Sequence, residues 1–195
     1  MANSVISSSY FISYVFMFII ICFSNYLTTT INGENSEEFS EIILMGRNEK
    51  ISHLHFYFHD TVSGKNPTAV QIAAPTAKKS GSFFGITMII DDKLTEGPEP
   101  TSKIIGRAQG IYAIAAQEEI GLLMNMNLVF MEGKYNGSTL SVLGRNAVFH
   151  PVREMPIVGG SGLFRFARGY ALAKTVWFKK SGDALVEYNV SVIHF

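Results

Sequence analysis

A two-residue hydrophobic rhythm, repeated in segment after segment from His53 to the end of the chain, is the feature that most constrains how this sequence can fold. Leu54, Phe56 and Phe58 alternate with His53, His55, Tyr57 and His59. Phe84, Ile86, Met88 and Ile90 alternate with Gly85, Thr87 and Ile89, and Leu122, Met124, Met126, Leu128 and Phe130 form an apolar face opposed by Asn125 and Asn127. Leu140, Val142 and Val148 mark a further strand, and Val186, Tyr188, Val190 and Val192 end the series against Glu187, Asn189 and Ser191. Successive side chains of an extended strand point to opposite faces, so this alternation marks strands with one buried face.

Turn signals divide the runs: Ser63-Gly64-Lys65-Asn66-Pro67, Glu96-Gly97-Pro98-Glu99-Pro100, Asn136-Gly137 and Ser181-Gly182-Asp183. Asn136-Gly137 is the strongest and predicts a type I′ turn, which needs positive φ at both central residues. Gln117 to Leu123 has room for one helical turn and no more. About eight strands joined by short turns predict an all-β fold, an eight-stranded antiparallel sheet closed into a β-barrel.

The first residues differ from the rest. Tyr10 to Phe23 is almost wholly apolar, yet shorter than the roughly 18 residues a spanning helix needs. Its place at the N-terminus, before the polar residues from Ser24 onward, predicts a cleaved signal peptide over residues 1–24 and a secreted protein. A polar lead-in over 25–50 and a barrel domain over 51–195 follow. The only cysteine, Cys22, lies in the leader, so the mature chain has no disulfide, no thiol nucleophile and no thiolate ligand. Lys plus Arg and Asp plus Glu are 16 each, a balance that offers no broad basic surface for a phosphate backbone, and no nucleic-acid partner is expected.

Asp60 is the most informative chemical residue. It shares a strand face with Leu54, Phe56 and Phe58, so it is either a buried acid or a rim aspartate that caps the following loop. If buried, its pKa rises and it becomes a general acid or base. Arg107, Arg153, Arg165 and Arg168 are candidate partners. Asn146 shares the apolar face of Leu140 and Val142, where a buried amide either completes a structural hydrogen bond or holds a ligand hydroxyl. Gly106, Ala108 and Gly110 alternate on one face ahead of Tyr112, and small residues there fit either a ligand cavity or a close crossing of strands.

Other motifs carry less. His53, His55 and His59 share a strand face opposite the apolar one and lack a further ligand, so no metal site is expected. Gly159-Gly160-Ser161-Gly162 precedes a strand pattern rather than the helix a phosphate loop opens. With no complete ligand set for a metal, flavin or nucleotide, no cofactor is expected. Asn136-Gly137-Ser138 and Asn189-Val190-Ser191 are glycosylation sequons, and the first, in a turn, is the better placed.

Together these segments resemble the dirigent family of land plants. The resemblance rests on Phe56-Tyr57-Phe58-His59-Asp60, Ser63-Gly64-Lys65-Asn66-Pro67-Thr68, Gly106-Arg107-Ala108-Gln109-Gly110, Glu132 to Leu140, Val152 to Gly162, and Phe164-Arg165-Phe166-Ala167-Arg168-Gly169. It implies a barrel related to allene oxide cyclase and loosely to lipocalins, and a homo-oligomer, trimer or dimer, in the apoplast. It also implies a small phenolic or isoflavonoid ligand. Lignan-forming members have no oxidant of their own; an external oxidase, a laccase or peroxidase, makes phenoxy radicals whose coupling faces the barrel fixes.

The resemblance further implies a pocket acid at Asp60, an arginine at Arg153 and a tyrosine at Tyr112, with Phe58, Ile114, Asn146, Phe166 and Arg168 as ligand contacts. Lignan-forming members have a second acid where this chain has Asn146, often a second tyrosine where it has Ile114, and tend to have a cysteine pair. This chain is closer to the cysteine-free subgroup with Gly144-Arg145-Asn146, which includes pterocarpan synthases that dehydrate isoflavanols and close a ring. A single strong pocket acid is therefore expected, suited to expelling one hydroxyl. A passive small-molecule carrier is the contrasting possibility.

Secretion with a glycan on Asn136 is the expected outcome. Glycosidase treatment of protein from a plant host should lower its mass, and a cytosolic protein of unaltered mass would contradict it.

Overall fold

The computed structural model describes residues 48–75 and 82–195, with Met17 the single described position before them. The leader and most of the lead-in lie outside the described residues. The described residues form nine strands: β1 Lys50–Asp60, β2 Ala69–Ala73, β3 Thr87–Thr95, β4 Ile104–Ile114, β5 Gly121–Phe130, β6 Thr139–Ala147, β7 Arg153–Ser161, β8 Arg168–Phe178 and β9 Ala184–His194. All pairings are antiparallel. The strands run in the order β1-β9-β8-β7-β6-β5-β4-β3, and β1 then pairs with β3 to close an eight-stranded barrel. β2 is the ninth strand; it lies on β3 through Ala69–Ile90, Val70–Ile89 and Gln71–Met88, beyond the three residues by which β1 holds β3.

The sequence alternation maps onto the barrel interior. Phe56 and Phe58 of β1, Met124, Met126, Leu128 and Phe130 of β5, and Tyr188, Val190 and Val192 of β9 are buried. His53, His55 and His59 point outward, where each is bonded to a sheet neighbour: Ser191, Glu187 and Thr95. One half of the interior is solid. Tyr188 stacks on Phe56 at 5.6 Å and Phe164 on Tyr135 at 4.6 Å, with Phe130 against both Phe56 and Phe164. At that end Ser52 bonds His194 and accepts the Tyr135 hydroxyl, each at 2.8 Å.

One local possibility is not taken up, and one local expectation is corrected. Residues 117–119 form bends, and β5 starts at Gly121, so no helical turn forms there. The Asn136-Gly137 turn is type II rather than type I′. Asn136 has φ −50° and ψ 132°, Gly137 has φ +78°, and the Ser138 N–H donates to the Tyr135 carbonyl. The short 3₁₀ turn at Gly133–Tyr135 lengthens the connection, and a two-residue hairpin no longer fits.

The small residues of β4 serve strand approach. A Cβ on Gly106 would lie 2.2 Å from the Val129 carbonyl oxygen, and one on Gly110 2.2 Å from that of Asn125. The barrel bends so tightly between β4 and β5 that these positions hold backbone against backbone. Gly106→Ala is therefore expected to destabilise the fold by about 2 kcal/mol or more, since strands must shift to admit the methyl group. Denaturant melts check this, and an unaltered midpoint would contradict it.

Candidate functional site

Beyond the aromatic plug, the other half of the barrel is open. A cavity of about 920 Å³ is lined by Phe58, Met88, Leu122, Met124, Val186 and Tyr188, with Phe83, Phe149 and Phe178 at its mouth. Tyr188 is fully enclosed and caps the plug. The walls are mainly apolar, so the few polar groups stand out.

Asp60, the last residue of β1, lines this cavity, and the Tyr112 hydroxyl of β4 donates to its Oδ2 at 3.2 Å. Its Oδ1 is buried and has no hydrogen-bond partner among the described residues. Burial pushes its carboxyl up to about 6; the Tyr112 bond opposes the rise and the charge of Asp183 adds to it. Burial and the adjacent Asp60 charge also hold the Tyr112 phenol above its ordinary range.

Arg153 opens β7 and lines the same cavity while only 4% exposed. Its Nε donates to Asn146 Oδ1 at 3.0 Å, and its Nη1 is buried without a partner among the described residues. Burial lowers its pKa, but a guanidinium stays charged at any ordinary pH. An enclosed cation with a free N–H is a site for an oxygen acceptor. Asn146 orients the guanidinium by accepting from Nε.

The structure thus brings Asp60, Tyr112, Arg153, Asn146, Phe58 and Ile114 to one cavity. It places Phe166 and Arg168 elsewhere. Phe166 is 60% exposed in the connection to β8, with φ +64°, its ring beside Phe195. Arg168 starts β8 and pairs on the surface with Glu49. The motif that contains them forms a tight turn after the 3₁₀ segment Gly162–Phe164, remote from the cavity lining. Arg107 pairs with Asp91 on the outer face, and Arg165 is exposed.

One acid was not anticipated. Asp92 of β3 is 0% exposed. It occupies the inward face with Met88, Ile90 and Leu94, so the alternation ended too early at Ile90 was the signal that would have found it. Thr68 donates its hydroxyl to Asp92 Oδ1, while Asp92 Oδ2 is buried without a partner among the described residues. Burial first, then the Asp60 charge, pushes this carboxyl up to about 8. Asp60 is the one acid among the described residues lining the cavity, and Asp92 adds a second enclosed carboxyl behind it.

A closed antiparallel barrel with a half-filled core and an acid, a tyrosine and an arginine around an apolar cavity is a barrel with an interior of small-molecule size. The model of the family described as "Dirigent-like protein" matches residues 51–193, and the chain belongs to that family. It is 60% identical over 148 residues to Dirigent protein 21 of Arabidopsis thaliana, covering 75% of this chain and 78% of that protein. It is 47% identical over 193 residues to Pterocarpan synthase 1 of Glycyrrhiza echinata, covering 97% and 98%. The solved structure of the pterocarpan synthase dirigent protein GePTS1 superposes with a TM-score of 0.72 at 53% identity, covering 77% of this chain and 88% of that one.

The raised carboxyls make stability depend on pH with a definite sign. The folded chain retains protons that the unfolded chain releases near pH 4, so their contribution is full below about pH 4 and is lost progressively as pH rises, up to about 6 for Asp60 and about 8 for Asp92. Asp92→Asn cannot ionise, and should raise the melting temperature over wild type at about pH 9 with the gain vanishing near about pH 4. A difference independent of pH would contradict this.

Proposed function

We propose that this chain is an oxidant-free dirigent protein that binds a plant phenolic intermediate and fixes the stereochemistry of its reaction. The observation that carries the reading is the titratable carboxyl of Asp60, raised to about 6, in an apolar cavity shared with a buried arginine that has a free N–H. Arg153 holds a phenolic or leaving oxygen, Tyr112 orients the ring and keeps Asp60 in place, and Asp60 donates or accepts the proton at the reacting benzylic centre. A quinone methide is electrophilic, and fixing one conformer of it decides which face an internal hydroxyl attacks. Phe58, Ile114 and Asn146 shape the cavity around the ligand.

Under this reading the radicals come from an external laccase or peroxidase. The nearly full-length likeness to a protein named pterocarpan synthase is equally compatible with a second reading, dehydration of an isoflavanol with ring closure. Both reactions pass through the same type of intermediate and use the same groups. The protein is secreted to the apoplast on the strength of its apolar leader, and Asn136 and Asn189, both exposed, are its glycosylation sites. It forms a homo-oligomer; the outward row Val70, Ile89 and Ile111, aligned across β2, β3 and β4, supplies an apolar surface for contact between copies.

The test gives the pure protein coniferyl alcohol with a one-electron oxidant, and separately an isoflavanol, and reads the products by chiral chromatography. One arm should give an enantiomeric excess. In that arm Asp60→Asn should lower the protein-directed product roughly 10²- to 10⁴-fold with the barrel still folded. Retained binding with racemic or unchanged material in both arms identifies a carrier and contradicts the proposal.

A further inference from the structure

The closure of the barrel places the two acids side by side. Phe58 pairs with Leu94 and His59 with Lys93; the ladder stops there, and the next residues on the two strands are Asp60 and Asp92, close enough for the Asp60 charge to act on Asp92. Each carboxyl has one oxygen served by a hydroxyl, Asp60 by Tyr112 and Asp92 by Thr68. Each has one buried oxygen with no partner among the described residues, Oδ1 of Asp60 and Oδ2 of Asp92. Thr68 is committed in turn, since its Oγ1 accepts from the Thr61 N–H.

We infer that Asp60 and Asp92 work as a pair that shares a single proton, Asp92 being a positioning residue that acts through Asp60 and stores the proton Asp60 uses. A proton on Asp92 Oδ2 directed at Asp60 Oδ1 satisfies both leftover oxygens and removes the repulsion of two enclosed carboxylates. Asp60 faces the cavity and Asp92 stands behind it, away from the lining. The inference rests on the proposed role of Asp60 and deepens it.

Such a pair can serve both ends of one reaction. In a dehydrative ring closure, the pair gives its proton to the benzylic hydroxyl as the C–O bond breaks and the oxygen leaves with the bonding electrons as water. It regains a proton from the phenolic hydroxyl whose oxygen forms the new C–O bond. The pair ends as it began, no oxidant or reductant is consumed, and water is the only by-product.

The charged and titratable groups around Asp92 are Asp60 on β1, Asp91 on its own strand, Arg107 and Tyr112 on β4, and Tyr188 on β9. Arg107 is committed to Asp91, and both tyrosines are held above their ordinary range by burial. Asp60 is therefore the group whose charge is coupled to the proton on Asp92 inside the barrel.

Two measurements test the pair. The first is carboxyl ¹³C NMR titration of the full protein, in wild type and Asp60→Asn. One aspartate should keep its proton past neutrality and titrate at about 8, and Asp60→Asn should shift that midpoint downward. Independent titration of the two carboxyls overturns the proposal, and this result does not need the Asp92 variant to fold. The second is the pH profile of product formation. Wild type should lose rate above about 8, whereas Asp92→Asn should lack that alkaline limb and run roughly 10²-fold slower at neutral pH with KM little altered. An alkaline limb unchanged in folded Asp92→Asn overturns the pair and leaves Asp60 in its role. Full activity of Asp60→Asn overturns both.

Discussion

A curved sheet leaves two edges of unpaired N–H and C=O groups unless its first and last strands meet. Here they meet through three residues, Tyr57, Phe58 and His59 of β1 against Thr95, Leu94 and Lys93 of β3. The rest of the structure depends on this short seam. Because β1 leaves β3 so soon, β3 has bonding groups left over, and β2 takes them after the loop that follows Asp60. That loop is tied down by Asp183, which accepts from the Val62 and Ser63 amides at 3.0 Å and from the Ser63 hydroxyl at 2.8 Å. The handover from β1 to β2 is where Asp60, Asp92 and Thr68 come together.

The interior divides on either side of that seam. Toward the Ser52 and His194 end, stacked aromatics fill the barrel and supply the burial that a cysteine-free domain needs for stability. Toward the other end, methionines and smaller aliphatic side chains line the walls and leave about 920 Å³ open. Tyr188, stacked on Phe56 of the plug, and Phe58 beside it line the cavity where it meets the plug. Polar groups placed above it are desolvated by their surroundings, which raises the two carboxyls and leaves Arg153 a charged donor in need of an acceptor. Burial thus gives ordinary side chains a protonation behaviour they would not have in water, which is what the proposed reaction uses.

Period two was enough to read most of the barrel, because an inward face must be apolar along its whole length. It located Asp60 among Phe56 and Phe58 and Asn146 among Leu140 and Val142, and the structure encloses both amid those neighbours. It did not reveal β2, whose five residues are mostly exposed and carry no alternation of burial. Nor did it reveal the nearness of Asp92 to Asp60, which depends on which strands meet at closure, a long-range fact that local pattern does not encode. Asp92 itself continued the Met88 and Ile90 alternation, but an acid in an apolar series reads as the end of a strand. Phe166 and Arg168 show the opposite failure. They belong to a segment that carries the family resemblance, yet that segment builds a turn, and resemblance does not separate residues that serve shape from residues that serve chemistry. The ambiguity of Gly106 and Gly110 was resolved by curvature, which only the backbone displays.

The account stands on the claim that a phenolic ligand spans the cavity between the buried guanidinium and the acid of β1. A crystal structure with a stable phenolic analogue of the intermediate is the most direct measurement of it. The account predicts a ligand oxygen within hydrogen-bond reach of Arg153 Nη1, the ring against Tyr112 and Phe58, and the benzylic carbon or its hydroxyl beside Asp60. A ligand held only at the mouth among Phe83, Phe149 and Phe178, with Arg153 and Asp60 untouched, would contradict it.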